Sequence, residues 1–297
     1  MSLRIVSADE RLSAANNKTS LAIFGPPGSG KTSLLKTLPA AQTICLDLEA
    51  GLKSVQDWQG DSIPIRTFTD ALDIGCLVGG VNPAADPSGF FSEGHYEHLS
   101  QTYPDLVQMI SAKKIIFVDS ITDLTRQAMA WARTRPEAFS EKNGKPDPRG
   151  AYGLLAREVI GLMKHLQHAP GKTVIFVGIL EKITDEFNRT TWQPQMEGGK
   201  AGRELPGIVD QVISMSLFAA SSTSGTADSK SAGEDGGDEN WRHDPERADI
   251  RRLVCRAGNP FGLPAKDRSG RLDVTEAPDL GALLAKINAP QTANRKG

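Results

Sequence analysis

Between positions 25 and 33 the chain reads Gly25-Pro26-Pro27-Gly28-Ser29-Gly30-Lys31-Thr32-Ser33. A glycine, four free positions and then Gly-Lys-Thr is the spacing of a phosphate-binding loop, in which glycines let successive backbone N–H groups turn inward around a phosphate chain. These nine residues are expected to bind ATP, with Lys31 reaching the β- and γ-phosphates and the Thr32 hydroxyl serving Mg²⁺. Asp119 closes the run Ile115-Ile116-Phe117-Val118 and precedes Ser120. A carboxylate there can hold the magnesium shell beside the loop; read alone, it would equally cap the following helix. Glu49 lies just past a run carrying Cys45 and Asp47, where a carboxylate can orient and deprotonate an attacking water. Asp47 is the alternative holder of that role, and an acid at a helix start is the plainer reading of Glu49.

The elements that must position these groups follow from apolar patterning. Residues 19–24 read as a short buried strand ending at Gly25, and 33–38 as a helix facing a sheet, closed by Pro39. Further strands are expected at 42–48, 64–68, 115–118, 173–179, 209–218 and 251–255. The runs at 115–118 and 173–179 lack alternation, as inner strands of a parallel sheet do. Helices are expected over 97–112, 121–134, 152–168 and 279–288. In the segment 152–168, Leu154, Leu155, Val159, Leu162, Met163 and Leu166 form a core-facing side. The stretches 73–95, 135–150 and 184–207 read as irregular, the last around short strands. Strands alternating with helices around a glycine loop predict an α/β fold, a P-loop NTPase with a mostly parallel sheet and helices on both faces. The simplest division is an N-terminal arm at 1–18, a single domain over 19–290 with a low-complexity, disordered insert at 219–245, and a loose tail at 291–297.

A chain of 297 residues can bury one large core. Its net charge of -2 gives no global signature of nucleic-acid binding, so any such contact must come from a local patch or an oligomer. Cys45, Cys76 and Cys255 are too scattered for a metal or disulfide framework. With no apolar leader and no long apolar run, the cytoplasm is the expected location and no membrane contact is expected.

The segments Asp47-Leu48-Glu49-Ala50-Gly51-Leu52, Ile115-Ile116-Phe117-Val118-Asp119-Ser120 and Phe261-Gly262-Leu263-Pro264-Ala265-Lys266-Asp267-Arg268-Ser269-Gly270 together resemble the phage and prophage AAA-type ATP-binding proteins, remote RecA-like ATPases linked to single-strand annealing and recombination. The resemblance runs from about residue 20 to 288. It implies a RecA-like core in which Glu49 is the catalytic base. It also implies that Lys266, with Arg268 as helper, reaches a phosphate bound by the neighbouring subunit; as residues alone, the two crowd positive charge beside a glycine turn, which is compatible with that role and equally ordinary as solvated surface charge. The expected partners are therefore ATP, single-stranded DNA, further copies of the chain in a filament or ring, and a single-stranded-DNA-binding protein.

By the same resemblance, DNA is expected against 135–150, with Arg135, Lys142, Lys145 and Arg149, and against 187–206, with Arg189, Trp192, Lys200 and Arg203. Cations can follow a phosphate backbone and Trp192 can stack on a base. Two departures stand out. After the strand ending at Gly178 the chain offers Ile179-Leu180 and only then Glu181 and Lys182 where a polar γ-phosphate sensor is usual, and it has no filament-forming domain of recombinase size. Two other functions fit the loop: a nucleoside or nucleotide kinase, against which stands the lack of an arginine-rich lid, and an ATP-gated DNA-binding scaffold that barely hydrolyses.

Overall fold

The computed structural model describes residues 5, 7, 18–220, 241–243 and 250–289. The rest of the expected arm, the interior of the expected insert and the tail at 291–297 lie outside the described residues.

The continuous apolar runs become the middle of one sheet. Strands β1 (Ser20–Gly25), β2 (Thr43–Asp47) and β4 (Ile115–Asp119) are buried along their whole length, which is why their sequences do not alternate. With β3 (Asp61–Pro64), β5 (Thr173–Thr184) and β7 (Gln211–Ala220) they pair in the parallel order β7-β1-β5-β4-β2-β3. Beyond β7 the sheet turns antiparallel: β9 (Ile250–Val254) pairs with β7, and β11 (Thr275–Glu276) with β9. Strands β8 (Trp241–His243) and β10 (Lys266–Asp267) also pair antiparallel with β7, and β6 (Thr190–Pro194) folds back on the outer half of β5.

Alternate residues of β1 feed opposite faces. Ala22 and Phe24 join a core with α1 (Phe68–Gly79), α4 (Ile121–Ala132), α5 (Pro148–Gln167) and α6 (Gly199–Ile208). Leu21 and Ile23 join a second core with Leu34, Leu35 and the α7 helix (Leu280–Ile287). The expected α/β architecture, a mostly parallel sheet with helices on both faces, is the architecture found. Among the described residues no helix is long and apolar enough to cross a membrane.

Several expected elements differ. The segment after the loop is a six-residue 3-10 turn, Thr32–Thr37, not an α-helix. The strand expected at 64–68 lies earlier, at β3, and 73–95 is not wholly an excursion, because α1 runs into it. A capping box starts that helix: the Thr67 hydroxyl accepts from the Asp70 N–H at 3.1 Å while the Asp70 carboxylate accepts from the Thr67 N–H at 2.8 Å. The helix expected over 97–112 is two, Glu93–Thr102 (α2) and Pro104–Ala112 (α3), because Pro104 starts a new helix and restricts Tyr103 before it. The irregular stretch at 135–150 contains a 3-10 turn at Pro136–Ala138, and α5 begins at Pro148, capped by Asp147. Within 184–207 the expected short strand is β6, but the polar sequence conceals most of α6.

Candidate functional site

The chain leaves β1 for β2 and β3 at the far side of the sheet, returns inward through β4 and β5, then crosses β1 to form β7 on the other side. Such a reversal opens a crevice at the carboxyl ends of the strands, and the glycine loop lies there. Gly28 and Gly30 have φ of 76° and 95°, in the left-handed region that disfavours a side chain. At Gly25 the limit is space: a Cβ would stand 2.7 Å from the Met215 carbonyl oxygen and from Ser29 Oγ.

Lys31 is buried, and its ammonium donates to the carbonyls of Gly25 and Pro26, each at 3.0 Å. Burial lowers its pKa, while Glu49 and Asp119 pull it back up. The Thr32 hydroxyl donates to Asp119 Oδ2 at 2.6 Å, although β1 and β4 are separated by β5. Burial pushes the Asp119 carboxyl up to about 6, against the Thr32 bond and Lys31 and with the help of Glu49 and Asp47. A buried carboxylate short of positive charge, bonded to a hydroxyl, fits Mg²⁺: that ion takes hard oxygen ligands, commonly one or two from protein, with phosphate and water completing its shell. No group of three or more His, Cys, Asp or Glu suited to a metal occurs among the described residues, so Thr32 and Asp119 would depend on nucleotide phosphates for the remaining ligands.

Asp47 and Asp119 lie in register at the ends of adjacent parallel strands. Just beyond, Ala50 holds φ of 57°, a left-handed conformation costing a residue with a Cβ about 1 kcal/mol. The Gly51 N–H donates to Asp47 Oδ1 at 3.3 Å and helps hold the bend. Glu49 is exposed at the mouth of the site. Its pKa is raised by partial desolvation and by the neighbouring Asp123 carboxylate, against the Ser120 hydroxyl and the Lys31 charge. The Ser120 hydroxyl donates to Asp123 Oδ2 at 2.9 Å and caps α4. Thus Lys31, Thr32, Asp119 and Glu49 meet, with Asp47 alongside. Asp123 is the member that the sequence reading missed; its signal is the Ser120-x-x-Asp123 pattern opening α4.

The other expected residues lie elsewhere. Lys266 donates to the carbonyls of Pro206 at 2.5 Å and Val209 at 2.8 Å, and Arg268 bonds Gly207 O and Asp210 Oδ1, both at 3.2 Å. These two cations close the carboxyl end of α6, where backbone carbonyls lack helical partners. Lys142, Lys145 and Arg149 are exposed in 135–150, whereas Arg135 lies 4.5 Å over the Trp131 ring. Trp192 is half-buried against the main core, Arg189 lies over Phe187, Lys200 pairs with Glu204 at 3.9 Å and Arg203 is exposed. Of the two sensor substitutes, Glu181 accepts from Gln193 Nε2 at 3.3 Å and Lys182 lies opposite Trp192 in the β5–β6 pair.

A family model described as an AAA domain matches residues 17–269. The chain belongs to this AAA-domain family. The match takes in the loop, Glu49, Asp119 and the Lys266–Arg268 turn, so this AAA-domain chain carries an ATPase-type fold suited to ATP binding. No curated protein matches it significantly. Among solved structures, it is similar to an ATPase from the type III secretion system of pathogenic bacteria, at 16% identity and a TM-score of 0.36, over 66% of this chain and 51% of that one. The AAA-domain chain thus spans about half the length of that structure.

Proposed function

We propose that this protein hydrolyses Mg²⁺-bound ATP in the loop 25–33, with Glu49 as general base, and that it works as a homo-oligomer on single-stranded DNA in recombination or annealing in the cytoplasm. The observation that carries the catalytic reading is the convergence of Lys31, Thr32, Asp119 and Glu49 around the 2.6 Å Thr32–Asp119 bond. In this mechanism Lys31 exchanges the Gly25 and Pro26 carbonyls for the β- and γ-phosphates. Glu49 orients a water in line with the γ-phosphorus and takes its proton as the phosphoryl group leaves; a carboxylate with a raised pKa accepts that proton more readily. Mg²⁺, held by Thr32 and Asp119, supplies charge neutralisation at the phosphate oxygens.

The DNA part rests on the family resemblance and on exposed Lys142, Lys145 and Arg149, which have no acidic side-chain partner among the described residues. Exposed Phe139 and Tyr152 beside them offer faces on which bases can stack. Phosphate release with and without single-stranded DNA, with Lys31→Ala as the blank, tests the proposal. Turnover that depends on Lys31 and rises with DNA is expected. Hydrolysis by Lys31→Ala within about twofold of the parent would reject the site, since that lysine reaches the reacting phosphates, and DNA-independent turnover would reject the DNA part.

A further inference from the structure

Strand β9 returns antiparallel to β7, which itself runs parallel to β1. The beginning of β9 therefore lies at the same edge of the sheet as the glycine loop. Arg251 is opposite Leu217, beyond the Ser214–Phe24 pair that brings β7 alongside the end of β1. Two residues later, on the same face, Leu253 is fully buried in the core that holds Leu34 and Leu35 of the turn after the loop. Period-two alternation thus sends Arg251 off the end of that core toward the loop.

The side chain reaches it. The Arg251 guanidinium places Cζ, Nη1 and Nε at 3.0, 3.0 and 3.2 Å from the point where a Gly30 Cβ would stand. In-plane approach between Nε and Nη1 would leave Cζ the farthest of the three atoms, so the guanidinium lies face-on against Gly30. Its N–H donors lie in the guanidinium plane, and the stack leaves them free to meet a group beside the loop. Arg251 is exposed, with no ion pair or side-chain hydrogen bond to any described residue. A residue at Gly30 with any side chain would meet this guanidinium, so the loop glycine also makes room for it.

We propose that Arg251 is a nucleotide-binding residue, donating from β9 to the diphosphate that ATP and ADP share. The proposal rests on the nucleotide site described above. Gly30 immediately precedes Lys31, in the part of the loop whose backbone embraces the α- and β-phosphates. A guanidinium fixed by stacking on the loop presents paired donors to a phosphate without first being ordered by the ligand.

ADP and ATP affinities of the parent, Arg251→Met, Arg251→Lys and Lys31→Ala, measured by titration calorimetry with magnesium present, test it. Methionine keeps an unbranched stem against Gly30 and removes the charge. It should weaken ADP and ATP by a similar factor of about tenfold or more, the scale of a lost hydrogen bond between charged groups, with lysine intermediate. Melting curves verify that the variants are folded; should Arg251→Met not fold, Arg251→Lys carries the comparison, expected to bind both nucleotides several-fold more weakly. ADP affinity of a folded Arg251→Met within about twofold of the parent would overturn the proposal, since packing alone then explains the stack. A parent that binds neither nucleotide would overturn the nucleotide site itself, a result distinct from loss in the Arg251 variants alone.

Discussion

Partial burial and the neighbouring Asp123 carboxylate raise the Glu49 pKa, which suits a group that must take up a proton during the reaction. Glu49→Gln keeps the size of the side chain and removes the base. It should bind ATP like the parent and lose about 10²-fold or more in turnover; single-turnover kinetics with ATP measure both, and unchanged turnover would move the base to Asp47. A second titrating group sits far from this chemistry. His165 is buried in α5, stacked on Phe91 with ring centroids 4.1 Å apart, and burial lowers its pKa from the ordinary 6.5, opposed by a bond with the Gly80 backbone. Its folded pKa is depressed, so as pH falls the unfolded chain takes up the proton first. The stability it contributes is intact above about pH 6.5 and declines below it, toward the folded value. His165→Gln removes this acid sensitivity, so the melting-temperature gap between parent and variant should narrow from about pH 7.5 to about pH 5.5; a constant gap would reject the assignment. Legibility at this scale followed covalent spacing. The loop residues stand next to one another in sequence and could be read directly, whereas Arg251 meets Gly30 only because β9 returns antiparallel two strands away.

Elements were legible where one signal dominated. Strands β1, β4 and β5 announce themselves by nearly unbroken apolar runs, and α5 by its regular leucines. Helix α1 did not, because Gly75, Gly79 and Gly80 and the Pro-rich stretch after them resemble a loop, while its start is written in two polar residues. Thr67 and Asp70 satisfy each other's backbone N–H groups, and Phe68, Leu72, Gly75 and Cys76 fall on the buried side. Gly75 and Gly79 have a packing reason: a Cβ would stand 2.3 Å from Leu162 Cδ1 and 2.4 Å from His165 Nε2 respectively. The glycines that disguise the helix are the ones that let it dock on α5. Thr67→Ala should therefore cost about 1 kcal/mol of stability in urea unfolding, with Thr67→Ser nearly neutral. Equal losses for the two would mean that the threonine methyl, not the cap, matters. The break at Tyr103–Pro104 escaped for the opposite reason, since it depends on a single local junction within an otherwise continuous pattern.

For the molecule as a whole, the open question is how one copy meets another. Lys266 holds two carbonyls at the end of α6, so to serve a neighbour's phosphate it must exchange those bonds at the interface. In the proposed oligomer, hydrolysis rises steeply with protein concentration. Lys266→Ala binds ATP but hydrolyses it poorly, and mixing it with Lys31→Ala, which retains Lys266, restores part of the activity. The gain should fall short of the roughly 10³-fold or larger effects of arginine fingers, because an ammonium lacks the bidentate fork. A lowered melting temperature with no gain on mixing would assign Lys266 to capping α6 alone. The position of β1 has a consequence for amide hydrogen exchange. Its strand is paired on both edges and buried on both faces, so its amides should exchange only when the whole domain unfolds. The loop that β1 carries has no such shelter. Bound nucleotide should slow the loop amides by direct protection, and the β1 amides only by as much as the ligand raises global stability. Two adjoining segments of one chain would then report, in one experiment, where the ligand sits and how tightly it is held.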